Sequence, residues 1–164
     1  MGYELHPETP PAGRPMRQFI PNYDPGRMVL NMNLAGAIYG IVFNPIEVAA
    51  NTRLALDAAE YARDAGLYEQ AHERILRAYF YEGENISLKE TLLRLLAEIG
   101  LDRQGLSEAL EAGVYAERLR QGRQLAQEHA VTALPTFIIS GRDKIVGARP
   151  YEQFTKLLDQ YGKR

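Results

Sequence analysis

Hydrophobic spacing divides the chain into three stretches of different character. Residues 3–6 form a short extended segment that Pro7 stops, and Pro10, Pro11, Gly13, Pro15 and Pro21 follow as a long loop. Asp24-Pro25 predicts a helix start, with a capping carboxylate followed by proline at the first helical position, and that helix ends near Gly40. Asn44-Pro45 makes a turn after it. From Asn51, an N-cap residue, apolar positions recur at three-to-four spacing. Leu54, Ala58, Tyr61, Ala62 and Ala65 predict one helix, closed by Gly66. Ala71, Ile75, Ala78 and Tyr79 predict a second over 68–82. Ser87-Leu88-Lys89-Glu90 reads as a capping box ahead of a helix carrying Leu92, Leu95, Leu96 and Ile99 and closed by Gly100. Asp102 opens a shorter helix to about residue 112, and a longer one covers 114–129.

Beyond Val131 the period changes to two. Residues 136–140 are β-branched and aromatic and predict a strand. Gly141-Arg142-Asp143 supplies a turn, 144–146 a second strand, and 151–161 a final amphipathic helix with Phe154, Leu157, Leu158 and Tyr161 on one face. A lone extended segment before a helical cluster and a hairpin after it imply one interrupted α/β domain: residues 1–24 and 131–164 form the outer part and 25–130 an inserted helical subdomain.

Composition narrows the chemistry. Nineteen basic against twenty-one acidic residues give a net charge of −2, with no basic block, so no nucleic-acid footprint is expected. The most apolar stretch, 34–43, falls far short of the ~20 residues of a membrane helix. No basic region followed by an apolar core is visible near Met1, and a cytoplasmic location is the expectation. There is no cysteine, which excludes disulfides, thiolate metal ligands and thiol nucleophiles within these 164 residues. His6, His72 and His129 lack metal-ligand spacing, and Glu82 and Glu84 near Asn85 lack the oxygen-rich loop that calcium prefers. Neither a phosphate-cradling glycine loop nor a nucleophile elbow is present, so no cofactor and no metal is expected.

The most specific motif is Ala133-Leu134-Pro135-Thr136-Phe137, followed by Gly147-Ala148-Arg149-Pro150-Tyr151 at the start of the last helix. This pair resembles the DsbA superfamily, in which a loop ending in proline-threonine-phenylalanine leads into the strand after the helical domain. Glu4-Leu5-His6-Pro7-Glu8-Thr9-Pro10, Asn51-Thr52-Arg53 and Ala78-Tyr79-Phe80 are similar to stretches of its FrnE-like subgroup, in the same order. The resemblance implies an incomplete thioredoxin-like fold with an inserted all-helical subdomain, and a thiol-disulfide oxidoreductase family. It implies that Pro135 is cis and that Ala133, Leu134, Pro135 and Thr136 form a loop holding an extended peptide or protein substrate. Where the family commonly has glycine-valine before the proline, this chain has Ala133-Leu134.

The family places a first strand and a Cys-X-X-Cys ahead of the point at which this sequence begins. The chain therefore reads as a shortened family member with no catalytic residue of its own, and as redox-inactive. A cysteine-free peptide- or protein-binding module is the alternative. A third reading, a relative of the glutathione-linked 2-hydroxychromene-2-carboxylate isomerases, is disfavoured by the Glu-Leu-His-Pro and Asn-Thr-Arg stretches. Without that strand, residues 3–6 and 136–140 should be separated and leave open edges. Pairing with a partner chain, a homodimer or an inward shift of a strand would close them.

Overall fold

The computed structural model describes residues 2–162. Its elements in chain order begin with β1 (Arg14–Pro15), α1 (Met16–Phe19), α2 (Pro25–Gly36), a 3-10 turn (Ala37–Tyr39) and β2 (Val48–Ala49). The helical series is α3 (Arg53–Asp64), α4 (Tyr68–Phe80), α5 (Lys89–Ala97), α6 (Arg103–Ala112) and α7 (Ala116–Glu128). β3 (Thr136–Ile139), β4 (Asp143–Val146) and α8 (Tyr151–Tyr161) complete the chain.

Two side chains start helices as their sequence positions require. Asp24 Oδ1 accepts from Arg27 N at 3.1 Å, and Asp102 accepts from the amides of Gln104 and Gly105. Asn51 Oδ1 accepts from Arg53 N at 2.9 Å and so caps α3. The main core lies among α3 to α6, where Leu92, Leu95, Leu96 and Leu106 are completely buried against Ala58, Ala62, Ala71 and Ala78. Alanines on the facing helices let the backbones approach, and the leucines fill the space between. A smaller core of Met16, Ile46 and Ala49 is flanked by Tyr23, Met28 and Phe80. Tyr79 joins the two cores, and its hydroxyl donates to Val48 O at 2.9 Å.

Two expectations fail. Residues 3–6 are not a strand. Among the described residues, no neighbouring strand offers them a ladder. Instead the side chain of Glu4, buried at 9% exposure, accepts from Arg53 at 3.4 Å and Arg123 at 2.9 Å. The segment is therefore tied to α3 and α7 by ion pairs. Nor do Ser87 and Glu90 form a capping box, because the Ser87 hydroxyl is committed elsewhere and accepts from Asn51 N at 2.8 Å. Leu88, with no side-chain cap, precedes α5.

Among the described residues, the strands form two separate two-stranded antiparallel sheets, β1 with β2 and β3 with β4. In the first, which sequence spacing does not announce, Arg14 faces Ala49 and Pro15 faces Val48. In the second, Thr136 faces Val146 and Ile139 faces Asp143. α8 packs over the hairpin through an edge-to-face contact of Phe137 with Phe154 at 4.9 Å, and Tyr161 bonds Asp143. No residue between Val131 and Gly162 is fully buried, so this part of the fold has only one apolar layer upon it. Among the described residues, no helix is long and apolar enough to cross a membrane.

Candidate functional site

The end of α7 sets the position of the loop that follows. Ala130 takes a left-handed conformation (φ 47°), and Val131 N donates back to Ala126 O at 2.8 Å, turning the chain off the helix. Lys144 Nζ, reaching from β4, donates to His129 O and Ala130 O at 3.1 and 3.2 Å. A cation on the terminal carbonyls of a helix opposes the negative end of its dipole, so the same contact fastens the hairpin to α7.

Residues 133–136 then make a tight loop with a cis bond between Leu134 and Pro135. Thr136 Oγ1 donates to Ala133 O at 2.6 Å, and Gly147 N donates to Pro135 O at 2.7 Å. These two bonds hold the loop from inside and from β4. Leu134 is 49% exposed at the tip, beside exposed Pro135, while Ala133 and Thr136 are half-buried. The four residues singled out by sequence thus stand together as a braced loop with an apolar, outward-facing tip. Leu134 borders a cleft of about 240 Å³ that also reaches Tyr3, Leu125 and Ile138.

The other candidate residues have structural roles. His6 bonds Glu8 at 3.0 Å and meets the Phe19 ring edge-on, His72 stacks on Tyr68, and His129 caps α7. Among the described residues no cluster of His, Cys, Asp or Glu is arranged to hold a metal ion. Glu82 pairs with Arg74 and Arg77, and Glu84 with Arg94, so arginines occupy the carboxylates near Asn85. Asn85 itself donates to Ala12 O and accepts from Ser87 N.

Sequence reasoning missed two polar sites. Asp57, buried on α3, accepts from Arg53 Nε at 3.2 Å through one oxygen and leaves the other, Oδ1, without a partner among the described residues. Burial pushes its carboxyl above the usual range, against the opposing pull of Arg53. The i,i+4 spacing of Arg53 and Asp57 was legible, but the burial was not. At the α3–α7 contact Tyr115 donates to Asp64 at 3.0 Å, beside the Arg118–Asp64 pair, and burial foremost pushes its phenol up to about 12. A larger cleft, about 930 Å³, lies between residues 40–43 and α4 and is lined by Ile41, Val42, Leu76 and Phe80, well separated in sequence from the loop.

Comparison with known proteins agrees with the order of these elements. Residues 3–159 match the family model of the DSBA-like thioredoxin domain. The uncharacterized protein YwbO of Bacillus subtilis (strain 168) is 31% identical over 173 aligned positions, covering all of this chain and 82% of that relative. The crystal structure of a probable DsbA oxidoreductase from Streptomyces coelicolor superposes with a TM-score of 0.85 at 22% identity, over 99% of this chain and 74% of that one. That likeness shows a shared fold. On the extent of the family match and the identity to YwbO, the chain belongs to the DSBA-like thioredoxin domain family.

Proposed function

We propose that this 164-residue chain is the peptide-holding part of a FrnE-like member of the family, and that it does not exchange disulfides by itself. The reading is carried by one observation: the loop of Ala133, Leu134, Pro135 and Thr136 is braced internally yet presents an apolar tip, in a chain with no cysteine. Disulfide exchange begins with a thiolate attacking a disulfide sulfur, and no side chain here supplies one. An extended peptide can still be held without that chemistry, because main-chain groups give affinity and an apolar contact gives selectivity. Leu134 is the contact for an apolar substrate side chain.

The redox half of the proposal is tested with the purified chain in an insulin reduction assay containing dithiothreitol. Precipitation of the insulin B chain should follow the uncatalysed blank. Acceleration above it would overturn the reading. The binding half is tested by substitution at the tip. Leu134→Ser leaves both bracing bonds in place while removing most of an apolar contact, and should weaken binding of an apolar peptide about tenfold.

A further inference from the structure

Helix α2 carries apolar side chains on two opposite faces, a pattern that ordinarily belongs to a helix covered on both. Met28 and Met32 pack inward on the smaller core. Leu30, Leu34 and Ile38 point the other way and are 58%, 67% and 81% exposed. Gly40 then turns the chain at φ 68°, and Ile41 and Val42 carry the apolar surface into the cleft of about 930 Å³ against α4, where Leu76 is exposed as well. From Met28 to Ile46 there is no charged residue. With Tyr39, these side chains leave uncovered an area on the order of 600–800 Å², at or above the largest apolar patch of a typical monomer. A standard interface takes about 800 Å² from each partner, so the patch is large enough for a stable dimer.

The spacing along this face is symmetric. Arg27, Leu30, Leu34, Ile38 and Ile41 stand three, four, four and three residues apart, with Leu34 at the midpoint. A two-fold axis through Leu34 lays α2 antiparallel on a second α2 and sets each Leu30 against the other's Ile38. It also carries Arg27 past the other copy's Ile38 towards the cleft. Glu69 and Glu73 line that cleft, one turn apart on α4. Neither has an ion-pair partner among the described residues, and Arg74 and Arg77 of the same helix are engaged by Glu82 and Glu98. The Arg27 guanidinium is likewise unpaired, since only its backbone N–H is bonded, to Asp24. One patch therefore holds both an apolar stripe and the two halves of an unmatched charge pair.

We infer that a second copy of this chain covers the outer face of α2, in a two-fold dimer centred on Leu34 with Arg27 of each copy at Glu69 and Glu73 of the other. The interface uses neither the strands of the hairpin nor the loop at Leu134.

Sedimentation velocity of the full chain should show a monomer–dimer equilibrium with a Kd of about 10 μM or below. Leu34→Glu places two carboxylates on the axis and should weaken it at least about a hundredfold. Arg27→Glu should weaken it about tenfold, and so should Glu69→Lys combined with Glu73→Lys. Mixing those two variants should restore the parental affinity, because both ends of the mixed dimer regain opposite charges. This mixing test stands if Leu34→Glu does not fold. The chain has no cysteine, so Leu34→Cys introduces a single thiol. Facing helices about 8–10 Å apart bring it within disulfide reach of its mate. Mild oxidation should link this variant into a covalent dimer at least about tenfold faster than Leu158→Cys, a similarly exposed position on α8. Three results overturn the inference. These are a monomer up to about 200 μM, well above the micromolar limit for an interface of this size, a mixture that associates no better than its components, and equal cross-linking at 34 and 158.

Discussion

Replacing Ser87 with alanine tests how the N-terminal loop is joined to the helical core. Ser87 is 3% exposed, and its hydroxyl accepts from Asn51 N at 2.8 Å. Asn51 in turn donates to Thr9 O at 2.6 Å and caps α3 through Arg53 N. Gly13 sits against the same junction at φ 78°, where an added Cβ would lie 2.7 Å from Val48 Cγ1 and 3.1 Å from Ser87 Oγ. Alanine at 87 removes the acceptor of the Asn51 N–H at a half-buried residue beside the Gly13 turn. Such an orphaned donor costs about 1–3 kcal/mol. In a chain of this size each kcal/mol lowers the melting temperature by about 2–4 °C. Urea unfolding gives the total loss, and amide exchange locates it. Protection should fall at Asn51 and the first turn of α3. A loss below about 0.5 kcal/mol, or one confined to the first turn of α5, would refute the junction and restore a helix-capping role to Ser87.

Three further substitutions probe the core and its buried polar groups. Leu95→Ala removes a completely buried side chain where α3, α4 and α5 meet, and should cost about 2–5 kcal/mol in urea unfolding. Asp57→Asn should gain stability relative to the parent at about pH 7 compared with about pH 3. Burial raises the Asp57 carboxyl in the folded state, so the protonated form contributes stability at low pH that is lost as pH rises through the folded value. Asparagine stays neutral throughout, and unfolding free energies at the two pH values check the sign. Tyr115 has the same sense at the alkaline end. Its folded value of about 12 lies above the ordinary 10, so its contribution is complete below 10 and is lost towards 12. Tyr115→Phe should flatten that limb of the stability profile.

The parts of the fold that read directly from sequence are those determined by local spacing. The four leucine-rich turns around Leu92, Leu96, Leu106 and Leu110, and the caps at Asp24 and Asp102, depend on residues within one or two turns of each other. The period-two run at 136–139 likewise marks β3. What local spacing could not carry was decided over long separations. Glu4 finds Arg53 and Arg123, 49 and 119 residues away, so an extended-looking segment becomes an ion-paired tether. Ser87 finds Asn51, 36 residues away, ahead of any cap. Along α2 and the 3-10 turn, Leu30, Leu34 and Ile38 keep helical spacing yet stay exposed, because that face has no packing partner among the described residues. The loop at residues 133–136 was legible through its resemblance to a family motif. An open edge at residues 136–140 was expected from the same resemblance, but the outward direction of Thr136 and Ile138 follows only from the register with β4.

The most direct measurement is a residue-resolved titration of the full chain with an extended apolar peptide, following amide chemical shifts and repeating it with Leu134→Ser. Saturable shifts should be largest at Ala133 and Leu134, and the variant should bind about tenfold more weakly with its unperturbed spectrum intact. Shifts confined to the cleft at Ile41 and Leu76, or affinity unaffected by the substitution at Leu134, would contradict a peptide-holding loop.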